Sequence, residues 1–135
     1  MISDIIEAMK KKGKITPNGV VLKTHENATA VFLTEQGFDV ELIPTSNIEG
    51  VHTPDIKMDG LKWEMKAPIG EGNQLMENTI QRALKQSPNI IIDLRHTKRH
   101  QTKCLRELEK QFVSKKGIKR LKVITKSGKA IDFEK

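Results

Sequence analysis

The 135-residue chain carries a net charge of +7 at pH 7 and has a pI near 9.6. It is therefore long enough for one domain with a modest core, and its charge favours an anionic partner such as nucleic acid over solubility alone. Its single cysteine excludes an internal disulfide and a Cys-rich zinc site, and its few aromatic residues argue against a platform that stacks single-stranded bases. No run is apolar and long enough to cross a bilayer, and the N-terminus lacks the apolar stretch of a signal peptide.

The sequence predicts a chain of mixed helices and strands. A short amphipathic helix over 2–12 and a turn make up an N-terminal region, 1–23, and residues 24–135 form the main part of a single globular domain. Apolar periodicity and turn residues predict further helices over 25–36, 75–87 and 98–114, and strands over 38–44, 52–58, 61–66, 89–94, 121–125 and 130–133. Thr24 is expected to cap the first of these helices. This order predicts an α/β fold with a mixed central sheet flanked by helices.

The strongest local signal is Asp59-Gly60, because Asp-Gly between two alternating runs is typical of a tight β-hairpin. Residues two apart on a strand point to the same face, so Glu64 and Lys66 share a face, and the hairpin can bring Asp55 close to them. Two neighbouring carboxylates repel each other unless a cation lies between them. The pattern therefore predicts a site for Mg²⁺ or a similar hard metal, with Lys66 beside it to hold a water or a phosphate oxygen.

A second group of candidates is basic or carries an amide. Gln81 and Lys85 lie four apart on a predicted helix, away from its apolar face and on the same side as Asn78 and Arg82. Residues 94–126 include twelve Lys or Arg and two acids. At helical spacing, one side of the predicted helix carries a stripe of cations opposite Leu105, Leu108 and Phe112, formed by Arg99, Lys103, Arg106 and Lys110. The candidate nucleic-acid-binding residues are Gln81, Lys85, Arg95, Arg99, Lys103, Arg106 and Lys110, although a solvated helix face would show the same pattern.

Four further residues are not among the candidate catalytic residues. His96 and His100 have the spacing of a zinc pair on a helix, but no third ligand is evident, so both are expected at the surface. Cys104 lies on the apolar side of its helix and is expected to pack in the core. Asp93 ends a buried strand, where it either reaches the predicted metal site or caps the following turn.

The order of elements around Pro-Asp and Glu-x-Lys resembles the PD-(D/E)XK nuclease superfamily, whose core is a helix, three strands, a helix and a fourth strand. This match covers residues 24–94. A closer similarity is to the C-terminal transfer-RNA nuclease domains of contact-dependent growth inhibition toxins. It rests on TPDI at 53–56, GLKWEMKAPIG at 60–70, NTIQRALKQS at 78–87 and NIIIDLR at 89–95. The resemblance implies a restriction-endonuclease-like core, to which the C-terminal helix and hairpin are an addition.

The resemblance also implies a function: metal-dependent cleavage of RNA, with transfer RNA as the expected substrate and Mg²⁺, Mn²⁺ or Zn²⁺ as the metal. It implies a cognate immunity protein, and action in the bacterial cytoplasm after delivery from a larger secreted or phage-associated protein. In the superfamily the helix before the core strands often lends a glutamate to the site, which here is Glu26, although a helix-dipole role would also explain that residue. The expected catalytic residues are Glu26, Asp55, Glu64 and Lys66, and the three acids are the expected metal ligands.

Three other functions stay open at this point. The same fold could carry a DNA endonuclease of the restriction or junction-resolving kind. It could also be a nucleic-acid-binding domain without catalysis, which the presence of Asp55, Glu64 and Lys66 argues against. A metal-independent ribonuclease that uses His and Arg is a weaker alternative.

Overall fold

The computed structural model describes residues 11–135, so the predicted N-terminal helix lies almost entirely outside the described residues. Within the described part the elements are β1 (Ile15–Thr16), α1 (Thr24–Glu35), β2 (Val40–Leu42), β3 (Ile56–Met58), β4 (Leu61–Lys66), α2 (Leu75–Leu84), β5 (Asn89–Asp93), α3 (Gln101–Ser114), β6 (Arg120–Ile124) and β7 (Ala130–Phe133). Apart from the short strand β1, each of them was predicted from the sequence, with boundaries that differ by a few residues.

The seven strands described in residues 11–135 form one sheet, in which spatial order equals sequence order. Strands β4, β5 and β6 are parallel, and α2 and α3 make the crossovers that parallel neighbours require. The pairs β2–β3, β3–β4 and β6–β7 are antiparallel. The prediction of a mixed sheet flanked by helices is therefore confirmed.

Helices cover both faces of this sheet, and β5 is buried along its whole length. On one face Ile91 packs in a cluster with α1, together with Trp63 and Met65 of β4. On the other face Ile90 and Ile92 pack against α2 and α3. Glu64 and Lys66 pair with Ile90 and Ile92 in the parallel register, so they point to the face opposite Trp63 and Met65, as predicted.

Two helix starts differ from the predictions. Thr24 is the first residue of α1 and not its cap; the cap position is Lys23, which makes no side-chain capping bond, so the prediction for Thr24 was wrong. Helix α3 begins at Gln101, because the Nδ1 atom of His100 accepts a hydrogen bond from the backbone N–H of Thr102 (3.3 Å) and ends the preceding loop. None of the helices in residues 11–135 has the length and apolar character needed to cross a membrane.

Candidate functional site

The candidate site begins at the hairpin between β3 and β4. Asp59 and Gly60 have φ angles of 53° and 74°, the two positive values of a type I′ turn, so the predicted tight hairpin is confirmed. The turn sets the register that pairs Ile56 with Trp63. This register leaves Asp55 just outside β3, beside the carboxyl-terminal part of β4.

Asp55 continues the hydrogen bonding to β4 beyond the end of β3, although it is not itself part of the strand. Its backbone N–H donates to the carbonyl of Trp63 (3.0 Å), and its Oδ2 atom accepts a hydrogen bond from the backbone N–H of Met65 (2.9 Å). The β3–β4 pairing stops at Ile56, so the side chain of Asp55 satisfies a β4 donor that would otherwise lack a strand partner. These two bonds fix the carboxylate against the exposed edge of β4.

Glu64 is buried next to this carboxylate, with only 4% of its surface exposed. Its Oε2 atom lies 3.2 Å from Nζ of Lys66, and its Oε1 atom is buried without a hydrogen-bond partner among the described residues. Burial and repulsion by Asp55 raise the pKa of Glu64 to about 8, and together they outweigh the positive charge of Lys66, which lowers it. A buried acid with an orphaned oxygen beside a second acid fits a site that a divalent cation would complete.

Glu26 approaches the same group from the first turn of α1. Burial and the charge of Asp55 raise the pKa of Glu26, whereas Lys23 and Lys66 lower it, so the side chain lies within electrostatic reach of the pair on the sheet. Within residues 11–135, no group of three or more His, Cys, Asp or Glu side chains is placed to hold one ion together. The structure therefore brings Asp55 and Glu64 together, and the assignment of Glu26 as a third ligand stays a prediction.

A cavity of about 410 Å³ opens beside this group at the carboxyl end of β4. Its walls come from the start of α1, the loop after β4, and one side of α2. Both Glu26 and Lys66 line it, together with His25 and Arg82. Ligands of α/β sheets commonly bind at the carboxyl ends of the strands, which is the position of this cavity.

A larger cavity, of about 610 Å³, lies at the start of β6 and includes Trp63 and Phe133 in its lining. None of the four predicted catalytic residues lines it. The smaller cavity is the better candidate active site, because two of the four, Lys66 and Glu26 with its raised pKa, line it.

Most of the predicted nucleic-acid-binding residues are exposed. Gln81 and Lys85 lie on the solvent side of α2, and Lys103, Arg106 and Lys110 lie on the solvent side of α3. Among the described residues, none of these three α3 cations forms a salt bridge with an acidic side chain. Their role in binding remains a prediction.

Two of the predicted phosphate-binding arginines instead have protein partners. Arg95 donates from Nε and Nη2 to the buried carboxylate of Asp93 (3.0 and 2.8 Å) and from Nη2 to the carbonyl of Ala28 in α1 (3.0 Å). The Oγ1 atom of Thr29 also donates to Asp93 (2.7 Å). Burial raises the pKa of Asp93, but the bonds from Arg95 and Thr29 more than offset this effect and lower it overall. This network, which holds α1 against the end of β5, was not predicted.

Arg99 lies before α3 and not within it, so its place in the helical stripe was predicted wrongly. Its Nε and Nη2 atoms bind the carboxylate of Glu107 (2.8 and 2.7 Å), and its Nη1 atom donates to the carbonyl of Glu71 (3.2 Å) and to Asn73 (3.3 Å). These contacts join the loop after β4 to α3. Whether Arg99 also binds a phosphate stays a prediction.

The histidines differ from the expected surface pair. His100 is exposed, but His96 is partly buried, and its ring stacks on that of His25 with centroids 4.0 Å apart. Neither His96 nor His100 is helical, so the zinc spacing inferred for a helix does not arise. Cys104 is buried in the core, as predicted. The sequence carries no signal for the stacked pair, because His25 and His96 are joined only by the packing of α1.

The family model of the contact-dependent growth inhibition CdiA C-terminal domain matches residues 52–130, which is more than half of the chain. The chain belongs to this family. The matched part of this CdiA C-terminal domain contains Asp55, Glu64 and Lys66, together with β3 to β6, α2 and α3. Glu26 lies before the matched residues, so α1 joins the site from outside them.

Among solved structures, this CdiA C-terminal domain is similar to a chain of the CdiA-CT/CdiI toxin and immunity complex from Burkholderia pseudomallei. The TM-score is 0.69 with 22% sequence identity, and the alignment covers 91% of this chain and 100% of the other. The similarity shows a shared fold over nearly the whole domain. A search of curated proteins found no match.

The raised pKa of Glu64 predicts a pH dependence of stability in the metal-free protein. Between its ordinary value of 4.5 and about 8, the folded protein holds a proton that the unfolded chain releases. The free energy of unfolding should therefore fall as the pH rises through this range, by at most about 1.4 kcal/mol per pH unit, and level off above it. Urea unfolding in the presence of EDTA at pH 5, 6, 7 and 8 measures this slope.

Glu64→Gln should flatten the slope, because the amide does not titrate. Glu77→Gln makes the same substitution at an exposed position on α2 and serves as the matched control. Glu26 contributes a slope of the same sign, so some pH dependence should remain in Glu64→Gln. An unchanged slope in Glu64→Gln would contradict this account of the buried carboxyl.

Proposed function

We propose that this CdiA C-terminal domain is the toxic part of a growth inhibition system, and that it is a metal-dependent endoribonuclease that hydrolyses a phosphodiester bond of transfer RNA. The observation that carries the proposal is the pairing of Asp55 with the buried Glu64, whose orphaned oxygen and raised pKa suit a cation. Lys66 completes the group at 3.2 Å from Glu64. The family to which the chain belongs supports the toxic role.

The proposal includes a restriction-endonuclease-like core of the PD-(D/E)XK type. In its support, α1 is followed by β2, β3 and β4, then by α2 and β5, which is the order of elements that this core has. The acids and the lysine lie where the second and third strands of that core adjoin each other. The remaining elements, from α3 to β7, extend the sheet beyond the core.

In this proposal Asp55 and Glu64 would hold the divalent cation, with Mg²⁺ as the first choice and Mn²⁺ or Zn²⁺ as alternatives. When bound, the cation would lower the pKa of a water molecule and offset charge on the scissile phosphate. Asp55 is held in position by its bond from Met65 N–H, so little reorganisation is needed on binding. Glu26 would contribute a further carboxylate from α1.

Lys66 would orient the attacking water or stabilise the negative charge that develops on the phosphate. Its ammonium lies beside the carboxylate pair and is partly exposed in the cavity, so a substrate oxygen can approach it. A cation placed where charge develops in the transition state accelerates phosphoryl chemistry directly. The net charge of +7 would attract the polyanionic substrate to the site.

Loss of either carboxylate should abolish cleavage. Asp55→Ala and Glu64→Gln are each expected to lower the rate by ~100-fold or more, because each removes part of the charge that binds the cation. The measurement is a gel of total cellular RNA and of plasmid DNA after incubation with Mg²⁺, and again with EDTA. Asp59→Asn removes the same charge from the exposed turn of the same hairpin, and Asn tolerates its positive φ, so this control should cleave normally.

Three outcomes of this experiment would contradict the proposal. Full activity of Asp55→Ala would remove the carboxylate pair from the mechanism, and activity that survives EDTA would favour the metal-independent alternative. Cutting of plasmid in place of RNA would instead favour a DNA endonuclease.

The exposed cations of α3 are proposed as the surface that binds the RNA backbone. Replacing Lys103 and Arg106 by Gln should weaken binding and reduce the slope of log affinity against log salt by about 0.7 to 0.9 for each phosphate that the protein no longer neutralises. Binding is best measured with Glu64→Gln as the background, because the RNA then stays intact. Replacing Lys57 and Lys62, two exposed lysines on the hairpin, removes equal charge and is the control. Equal effects in both pairs would indicate a general effect of charge and no binding role specific to α3.

A cognate immunity protein is proposed as the second partner. The support is the similar fold of the toxin chain in the Burkholderia pseudomallei complex, whose other component is an immunity protein. The domain would act in the bacterial cytoplasm after delivery from a larger protein. Expression of the active domain should arrest growth, and a neighbouring gene product that binds it should restore growth; arrest that no such product relieves would contradict this part of the proposal.

A further inference from the structure

The cavity beside Glu26 and Lys66 has a lining that the chemistry of phosphodiester cleavage does not require. Part of its wall is apolar, formed by Met65, Ala67, Pro68, Ile69 and Leu75. Ile69 is 60% exposed, although a large apolar side chain is more stable when covered. A volume of about 410 Å³ is far larger than a water or a metal ion needs and suits a small organic group.

A fixed aromatic ring adds to this lining. His25 is exposed and lines the cavity, and its ring lies nearly parallel to that of His96, with an interplanar angle of 19°. The stack restrains the His25 ring, so its plane is present before anything binds. Aromatic rings accept the faces of nucleobases, and this contact does not depend on base identity.

Cationic side chains lie in the same lining. Lys23, Lys66 and Arg82 reach it from the N-cap of α1, from β4 and from α2, and the lining includes one acid, Glu26. The combination of an apolar wall, a restrained ring and three cations is complementary to a nucleotide, which joins a planar base to a phosphate.

The cavity is also built in advance of binding. The carbonyl of Gly70, in its wall, accepts hydrogen bonds from Oγ1 of Thr97 (2.5 Å) and from the backbone N–H of Lys98 (3.2 Å). Arg99 ties the next residues of the same loop to α3 through Glu71 and Glu107. A loop held at these points presents a preformed wall, which reduces the cost of ordering on binding.

We propose that this cavity binds one unpaired nucleotide of the substrate, with its base between the apolar loop and the ring of His25 and its phosphate among the cations. The proposal rests on the nuclease function proposed above and narrows its substrate to RNA whose cleaved segment is single-stranded, since a paired base cannot enter a cavity. The low aromatic content of the chain is consistent with this, because a single base needs one ring and not a platform.

The test compares an RNA hairpin that has a single-stranded loop with a fully paired duplex of the same length. Affinities are measured with Glu64→Gln, and cleavage is measured separately with the wild-type active site. The loop RNA should bind at least about tenfold more tightly, within the range that base stacking on one aromatic ring provides. His25→Ala should abolish this preference, whereas His25→Phe should keep it, because phenylalanine retains the plane but not the proton chemistry.

His52→Ala serves as the control, since His52 is exposed and does not line the cavity. Equal binding of the duplex and the hairpin, or an equal reduction of the preference in His25→Ala and His25→Phe, would overturn the proposal. Absence of cleavage by the wild-type site, with the binding preference intact, would overturn the nuclease function while supporting base binding. Cleavage by the wild-type site without a binding preference for the loop RNA would support the nuclease function and overturn base binding in the cavity.

Discussion

The hydrogen bond from the backbone of Met65 to the side chain of Asp55 is the interaction on which the candidate site depends. The pairing of β3 with β4 ends at Ile56, so β3 offers no backbone acceptor to the N–H of Met65. The carboxylate of Asp55 accepts that hydrogen bond in place of a backbone carbonyl. A side chain held in this way cannot move away from the neighbouring Glu64. The two acids therefore lie side by side in the folded protein, and the cost of ionising both without a cation between them is the physical reason for a cation at this place.

The burial of Glu64 further increases the cost of ionising its carboxyl group. Glu64 belongs to a strand that lies next to the fully buried β5, so its carboxyl has little access to water. Among residues 11–135, Lys66 is the cation that offsets this effect, and it lines the cavity. A site of this kind is costly in the absence of a ligand, which is typical of positions that serve function and not stability.

The second constraint holds α1 in place. Thr29 and Arg95 both bind the carboxylate of Asp93, and Arg95 also binds the carbonyl of Ala28 and lies over the ring of Phe32 at 4.9 Å. These contacts fix the first half of α1 at the end of β5. As a result Glu26 and His25 come to the same opening as Lys66, although they lie far from it in sequence.

Local patterns in the sequence were enough for the hairpin, the alternation of helices and strands, and the pairing of Asp55 with Glu64 and Lys66. Each of these depends on neighbours within about ten residues, where turn geometry and strand periodicity act directly. The short strand β1 was missed because its two residues carry no pattern, and they become a strand only through pairing with β2. Arg99 was misplaced because its partner Glu107 and the loop near Glu71 meet only in the folded chain.

Local sequence is sufficient to predict which side chains meet at the edge of β4, because the strand period puts Glu64 and Lys66 on one face and the two-residue turn brings Asp55 alongside. The burial of Glu64 with an orphaned oxygen, the binding of Asp93 by Arg95 and the stacking of His25 on His96 beside a cavity could not be predicted before the chain was folded. These features arise from the packing of α1 and α2 against the sheet. Such packing joins residues that are distant in the chain, and no local periodicity records those contacts.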